Sequence, residues 1–160
     1  MYSIKIKRAT KRDASVILSF IKELANYEKL PKEVSATENH LRKWLFGKKA
    51  VAEALIASLD NVPAGFALFF HSFSTFLGKP GIYLEDLFVK KQFRGKGVGK
   101  KLLVEVANIA KKRECGRLEW SVLNWNKPAI DFYKKLGAKS LDEWTIYRVT
   151  GKALDKLAGR

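Results

Sequence analysis

A glycine-rich segment with three basic residues around it has the composition of an anion-binding loop. It runs from Arg94 to Gly99 with the sequence RGKGVG and is followed by Lys100. The apolar run from Leu84 to Val89 before it predicts a strand, and apolar residues at helical spacing between Lys100 and Lys112 predict a helix. Glycines let several backbone N–H groups turn toward one anion at a helix N-terminus, where the helix dipole favours negative charge. We therefore expect this strand, loop and helix to bind a phosphate group.

Two common phosphate-binding motifs do not fit this loop. A nucleotide triphosphatase loop needs a Ser or Thr hydroxyl where this chain has Lys101. A dinucleotide fingerprint needs a third glycine where the chain has Lys100. A short glycine motif can also be an ordinary turn, so its interpretation depends on a second motif.

The second motif lies about thirty residues further along the chain, between Val122 and Ala138. It reads Asn-x-x-Ala-x-x-Phe-Tyr-x-x-x-Gly-Ala, with Asn126, Ala129, Phe132, Tyr133, Gly137 and Ala138 in the specified positions. With both motifs the chain resembles the GNAT superfamily of N-acetyltransferases. In that superfamily the Arg-x-x-Gly-x-Gly loop holds the pyrophosphate of acetyl-coenzyme A, and the second motif carries a general acid tyrosine.

Four further segments are similar to one branch of this superfamily, the diamine acetyltransferases, which includes spermidine/spermine and thialysine acetyltransferases. They are Leu24 to Leu30, Tyr83 to Asp86, Val122 to Asn126 and Lys156 to Arg160. The run Tyr-Glu-Lys-Leu and the ending Lys-Leu-Ala-Gly-Arg are nearer to the thialysine side. The resemblance extends over almost the whole chain and implies a homodimer.

The resemblance also implies a fold and a set of coenzyme contacts. The fold is of the α/β class, with a mixed central sheet flanked by helices and with splayed fourth and fifth strands, and we expect one domain over residues 1–160. Acetyl-coenzyme A is the implied co-substrate. Its expected contacts are Leu87, Phe88, Val89, Arg94, Gly95, Lys96, Gly97, Val98, Gly99, Lys100, Asn126, Pro128, Ala129, Tyr133 and Lys135.

The chemistry of amine acetylation names two catalytic candidates. An alkylammonium must lose a proton before it attacks a carbonyl, and Glu85, which interrupts an apolar strand, is the candidate base, acting directly or through water. Tyr133 is the candidate acid for the leaving thiolate. Backbone N–H groups near Leu87 to Val89 would stabilise the oxyanion if the strands part there. Strand alternation places Asp86 on the face opposite Glu85.

Amine recognition is assigned by the resemblance. Glu28 would bind a distal ammonium or an α-amino group, and Tyr27 would offer its ring to a cation. The resemblance aligns Glu143 with an acidic position after the tyrosine helix, although the chain is a residue or more shorter before Trp144 than the family pattern. The expected substrate contacts are Tyr27, Glu28, Glu85, Asp86, Glu119, Trp120, Ser121 and Glu143.

Composition limits the class of protein. Thirty-one Lys and Arg against sixteen Asp and Glu give 160 residues a net charge of +15. The lysines are spread along the chain without a dense basic tract, which favours a lysine-rich surface over a nucleic-acid partner. No apolar run is long enough to span a membrane and no signal peptide is recognisable, so we expect a cytoplasmic protein without a membrane partner. The single cysteine, Cys115, excludes an internal disulfide, and we expect no metal site.

The remaining elements follow from periodicity and turn residues. A first helix should begin after Thr10 to Asp13, and a second short one should be capped by Ser35 or Thr37. We further predict a helix from about Pro128. Strands are predicted at Ile4 and Ile6, 51–59, 64–73, 83–89, 118–123 and 145–149, with a hairpin turn at 60–63.

The leading hypothesis is acetyl transfer from acetyl-coenzyme A to the primary amine of a small molecule, by direct attack in a ternary complex. A lysine-like amino acid such as thialysine is placed slightly ahead of a polyamine. Acetylation of a protein N-terminus or lysine is the alternative within the enzyme class. The +15 charge also permits a nucleic-acid-binding module on an inactive fold.

Overall fold

The computed structural model describes all 160 residues, which form two compact units, Met1–Ser121 and Val122–Arg160. The first unit contains strands β1 (Ile4–Arg8), β2 (Glu53–Leu59), β3 (Val62–Ser74), β4 (Lys79–Val89) and β5 (Leu118–Trp120), and helices α1 (Ala14–Tyr27), α2 (Glu38–Phe46) and α3 (Val98–Lys112). The second unit contains α4 (Lys127–Lys135) and α5 (Gly151–Leu157).

The five strands form one sheet in the order β1-β2-β3-β4-β5. Strands β1 to β4 are antiparallel neighbours, whereas β5 runs parallel to β4. The turn between β2 and β3 has positive φ angles of 50° at Asp60 and 67° at Asn61, residue types that tolerate the left-handed region. The predicted mixed sheet is confirmed.

Helices pack on both faces of this sheet. Ile17 and Phe20 of α1 are fully buried, and the Phe20 ring stacks on Phe66 of β3 with centroids 5.4 Å apart. Phe88 of β4, which pairs with Phe66, lies on that same α1 face. Its neighbour Val89 must point to the other face, where α3 lies. A Cβ atom built on Gly99 of α3 would be 3.5 Å from the Val89 side chain.

Local signals predicted most of these elements. Thr37 is the N-cap of α2, and its hydroxyl accepts a hydrogen bond of 3.2 Å from the backbone N–H of His40. Helix α3 is amphipathic, as its sequence pattern requires, with Val98, Leu102 and Val106 buried. The hairpin of β3 and β4 is longer than predicted, because β3 extends to Ser74 and β4 begins at Lys79.

Two strand predictions near the C-terminus differ from the structure. Strand β5 ends at Trp120, not at residue 123, and it pairs with β4 over three residues only. The strand predicted at 145–149 is wrong, since those residues have no regular secondary structure and are exposed. An alternating sequence becomes a strand only when another strand accepts its hydrogen bonds, and the second unit itself contains no strand that could do so. Helix α5 follows and was not predicted.

None of the helices has the length and apolar character that a transmembrane helix requires.

Candidate active site

The sheet opens between β4 and β5. Pairing runs from Ile82 opposite Leu118 to Leu84 opposite Trp120, and there β5 ends. Strand β4 continues for five more residues, to Val89, while remaining paired with β3 on its other side. The backbone groups on the β5 side of this last part of β4 therefore have no strand neighbour. The predicted splaying of the fourth and fifth strands is confirmed at this point.

A β-bulge lies at the same place in β4. Asp86 is opposite Leu68 of β3, and Leu84 is opposite Phe69, the very next residue of β3. Two residues of β4 therefore span one step of β3, and Glu85 is the extra residue. Bulges often occur beside active sites, where they redirect a side chain.

Because of the bulge, the side chains that follow it in β4 point to the faces opposite to those that regular strand alternation would give them. Leu68 and Phe69 are consecutive and point to opposite faces, so their partners Asp86 and Leu84 also lie on opposite faces. Leu68 packs against the core that contains Phe20 of α1. Asp86 therefore lies on the α1 face. Regular alternation does not hold across a bulge, and the register gives the bulged residue Glu85 no partner, so the placement of Glu85 on the face opposite Asp86 stays a prediction.

Three carboxylates interact electrostatically at this point. Burial, followed by the charges of Glu85 and Glu28, raises the pKa of Asp86 to about 7. Burial and the Glu85 charge also raise the pKa of Glu28, which follows the last residue of α1. Glu85 itself is exposed. Carboxylates that repel each other in this way favour a cation among them, because a positive charge offsets part of the cost of ionising all three.

The glycine loop has the backbone that its sequence predicts. Gly95 and Gly97 have φ angles of 75° and 87°, in the left-handed region that favours glycine. Gly97 is the N-cap of α3 and offers no side chain to the N–H groups of the first helical turn. Nothing lies within 4 Å of a Cβ atom built on Gly95. The start of α3 can therefore present backbone N–H groups to an anion.

The basic side chains of this loop have different surroundings. Arg94 donates an N–H···O bond of 2.9 Å from its Nε to the carbonyl of Val89. Its guanidinium carbon lies 4.5 Å from the centroid of the Tyr27 ring. The Lys96 ammonium lies 4.6 Å from the centroid of the Tyr2 ring, and Lys100 is exposed on the first turn of α3. Arg94, which was predicted to contact the coenzyme, therefore lies against Tyr27, which was predicted to contact the amine.

The second unit carries the tyrosine motif on a capped helix. The buried Asn126 is the N-cap of α4, and its side-chain oxygen accepts a hydrogen bond of 3.4 Å from the backbone N–H of Ala129. Pro128 occupies the first turn, where its missing N–H costs nothing. Tyr133 is half-buried, with its ring 5.5 Å from that of Phe132. Gly137, with φ of 86°, follows the helix and allows the chain to leave it.

The remaining predicted substrate residues are already engaged or exposed. Glu119 of β5 forms an ion pair of 2.6 Å with Arg117, and the Ser121 hydroxyl lies 2.6 Å from the hydroxyl of Tyr83. Trp120 is half-buried at the end of β5. Glu143 is exposed in the second unit. Of the predicted set, the structure brings Glu28, Glu85 and Asp86 together as one electrostatic group.

Sequence reasoning missed two features of this site. The first is the bulge at Glu85, which depends on the register between β3 and β4 and has no local glycine to signal it. The second is the contact between Arg94 and Tyr27, which joins residues 67 positions apart in the chain. No group of His, Cys, Asp and Glu residues is arranged to hold a metal ion.

Comparison with known proteins agrees with this geometry. Residues 19–138 match the model of the acetyltransferase (GNAT) family. A thialysine N-epsilon-acetyltransferase of Bos taurus is 39% identical over 171 aligned positions, with 100% of both chains covered. An L-ornithine N5-acetyltransferase of Arabidopsis thaliana is 48% identical over 98 residues, which cover 61% of this chain and 43% of that protein. An integron cassette protein of V. cholerae has a similar structure, with a TM-score of 0.83, 31% identity and 99% of each chain covered.

A family match over 120 residues and a full-length relative at 39% identity agree with the splayed sheet and the glycine loop at the start of α3. The chain belongs to the GNAT family and is an acetyltransferase.

Proposed function

We propose that this acetyltransferase moves the acetyl group of acetyl-coenzyme A to a primary amine of a small molecule. The observation that carries the proposal is the group formed by Glu28, Glu85 and Asp86 where the sheet opens. The chain as a whole carries a net charge of +15 and repels cations. A local group of carboxylates can still attract an ammonium, because physiological salt screens distant charges over about 8 Å.

A lysine-like diamino acid such as thialysine is the proposed substrate class, ahead of a polyamine. Three relatives that align over the whole chain at 37–39% identity are thialysine acetyltransferases, whereas a spermidine/spermine acetyltransferase-like protein that covers 96% of the chain is 29% identical. The name of the ornithine acetyltransferase also specifies a diamino acid, and that protein matches a shorter part of this chain. In this proposal Glu28 binds the amino group that is not acetylated, while the reacting amine lies beside Glu85. Glu143, together with Glu119, Trp120 and Ser121, completes the expected substrate contacts.

The glycine loop is the proposed site for the coenzyme phosphates. Gly95 and Gly97 leave the first turn of α3 without side-chain caps, which suits an anion with several oxygens. Arg94, Lys96 and Lys100 add positive charge around this turn. The thioester would then lie along the part of β4 that has no β5 neighbour, near Leu87 to Val89.

The proposed reaction uses one base and one acid. Glu85 accepts a proton from the alkylammonium, directly or through one water, and the free amine attacks the thioester carbonyl carbon. Backbone N–H groups at the open edge of β4 stabilise the oxyanion. The C–S bond then breaks, and the phenol of Tyr133 donates its proton to the leaving thiolate. The nitrogen of the new amide loses its second proton to the tyrosinate, directly or through water. Glu85 is assigned as the base because its carboxylate is exposed to a bound amine, whereas Asp86 is half-buried.

We also propose that the enzyme is a homodimer. Large apolar side chains are exposed in the last twenty residues, including Trp144 at 73%, Ile146 at 74% and Leu157 at 74%. Large apolar side chains that a single chain leaves exposed are often covered by a second chain. Light scattering after size-exclusion chromatography should give twice the mass of the 18.2 kDa chain. A monomer at micromolar concentration would contradict this part of the proposal.

A thiol-release assay with acetyl-coenzyme A tests the substrate class. The panel should include thialysine, lysine, ornithine, putrescine, spermidine and an unstructured peptide with a free N-terminus. Norleucine is a matched control, since it has the shape of lysine without the side-chain amine. We expect the highest kcat/KM for thialysine or lysine and no reaction with norleucine. A preference for the peptide would favour a protein substrate and contradict the proposal.

Proton release on binding tests the carboxylate group independently of turnover. With a pKa of about 7, Asp86 is about half protonated at pH 7. A bound cation should favour its ionised form and release up to about half a proton. Calorimetry in two buffers with different ionisation enthalpies, using the diamine and coenzyme A without its acetyl group, measures this number. Binding without proton release would place the amine away from Asp86.

A further inference from the structure

Arg94 is held in one orientation by two neighbours. Its Nε–H bonds the carbonyl of Val89 at 2.9 Å, and its guanidinium lies over the Tyr27 ring at 4.5 Å from the centroid. The Phe88 ring is 5.7 Å away from the same guanidinium. Arg94 forms no ion pair with a carboxylate of the chain, so its two Nη groups keep their N–H donors for another acceptor. A guanidinium fork suits the oxygens of a phosphate.

Tyr27 is well placed to hold this arginine. It is the last residue of α1, and the helix is anchored to the sheet by the fully buried Ile17 and Phe20. The ring is therefore carried by a rigid element, while Arg94 belongs to the loop between β4 and α3. A cation over an aromatic face is attracted by the ring quadrupole without any loss of its hydrogen-bond donors.

We propose that Tyr27 is a positioning residue for Arg94 and, through it, for the phosphates of acetyl-coenzyme A. The inference rests on the proposed function, because it takes Arg94 as a phosphate ligand. It assigns Tyr27 to the coenzyme, whereas the family resemblance implies contact with the amine. Neighbouring residues at the end of α1 then serve different substrates, Tyr27 the coenzyme and Glu28 the amine.

The physical effect is preorganisation. A free arginine side chain loses much of its rotamer freedom when it binds a ligand, and a stacked one has lost that freedom beforehand. The strength of a partly exposed cation–π contact corresponds to a change in Kd of about two- to fivefold. Loss of the ring should therefore weaken coenzyme binding by up to about this factor, with little change in the chemical step.

Two variants at one position provide the test. Tyr27→Phe keeps the ring and removes only the hydroxyl, whereas Tyr27→Leu removes the ring and keeps an apolar side chain. Calorimetry with coenzyme A, without any amine, should give nearly the parent Kd for Tyr27→Phe. We expect a Kd about two- to fivefold higher for Tyr27→Leu. The KM for acetyl-coenzyme A should rise in parallel, with kcat nearly unchanged.

A double-mutant cycle with Arg94→Ala distinguishes positioning from general damage to the fold. If Tyr27 acts through Arg94, Tyr27→Leu should add nothing to the loss of affinity that Arg94→Ala causes alone. Tyr27→Gln, which is polar and lacks a ring, repeats the cycle if Tyr27→Leu does not fold. Equal coenzyme affinity of Tyr27→Leu and the parent, with a raised KM for the amine only, would overturn the inference. Absence of coenzyme binding by the parent would instead refute the proposed function.

Discussion

Replacing Asp86 by Asn should stabilise this protein, and the gain should depend on pH. Burial, followed by the charges of Glu85 and Glu28, raises the pKa of Asp86 from 3.8 to about 7. Each pKa unit corresponds to 1.36 kcal/mol, so the upper limit of the cost is about 4 kcal/mol. Asparagine has a similar shape and never carries the charge. We therefore expect the substitution to remove most of this cost wherever the unfolded aspartate would be ionised.

The direction of the pH dependence follows from proton binding. Below pH 3.8 Asp86 is protonated in both states, and its carboxyl does not affect the free energy of unfolding. Between pH 3.8 and about 7 the folded protein keeps a proton that the unfolded chain releases, so the stability of the parent falls as the pH rises. Above pH 7 the loss is complete. Asp86→Asn lacks this loss, so its advantage should grow through the same window and then remain constant.

Urea unfolding of both proteins at pH 4, 5.5, 7 and 8 measures this difference. The parent and variant should have similar free energies of unfolding at pH 4 and differ by up to about 4 kcal/mol at pH 8. Asp131→Asn is a matched control, because Asp131 lies on α4 in an exposed ion pair with Lys127 and its replacement should change the free energy of unfolding by about 0.5 kcal/mol or less at each of these pH values. If Asp86→Asn is destabilised equally at every pH, the carboxylate is not held in a repulsive site and the reasoning fails.

Three further predictions concern the loop, the acid and the amine site. Gly97→Ala should weaken coenzyme A binding in calorimetry, because a φ of 87° costs an L-residue about 1 kcal/mol and the strain disturbs the start of α3. Gly78→Ala is the control, since it introduces similar strain at a φ of 61° and should leave the Kd for coenzyme A unchanged. Tyr133→Phe should lower kcat at least tenfold with a nearly constant Kd for coenzyme A, and a parent-like kcat across the pH range would remove Tyr133 from the mechanism. Glu28→Gln should raise KM for the amine but not for acetyl-coenzyme A, and Glu85→Gln should lower kcat/KM most at low pH. Unchanged steady-state kinetics in both variants would contradict the small-amine proposal.

The amino-acid sequence by itself determined the elements whose signals are local. The apolar spacing within α3, the Thr37 cap of α2 and the Asp60-Asn61 turn each depend on a few neighbouring residues. The glycine loop is of the same kind, since Gly95 and Gly97 adopt the left-handed backbone that their residue type permits. These features are predictable because propensity, capping and turn geometry act over one or two turns of chain.

The tertiary structure decided what depends on distant partners. Whether Asp86 faces α1 or the opposite side is set by the register of β4 on β3, and one extra residue at Glu85 reverses it. The contact of Arg94 with Tyr27 exists only because α1 ends beside the loop before α3. The alternating residues 145–149 form no strand, because a strand needs a hydrogen-bonding neighbour that the sequence pattern cannot supply. Local sequence therefore predicted the motifs, whereas their grouping into a site arose from long-range pairing.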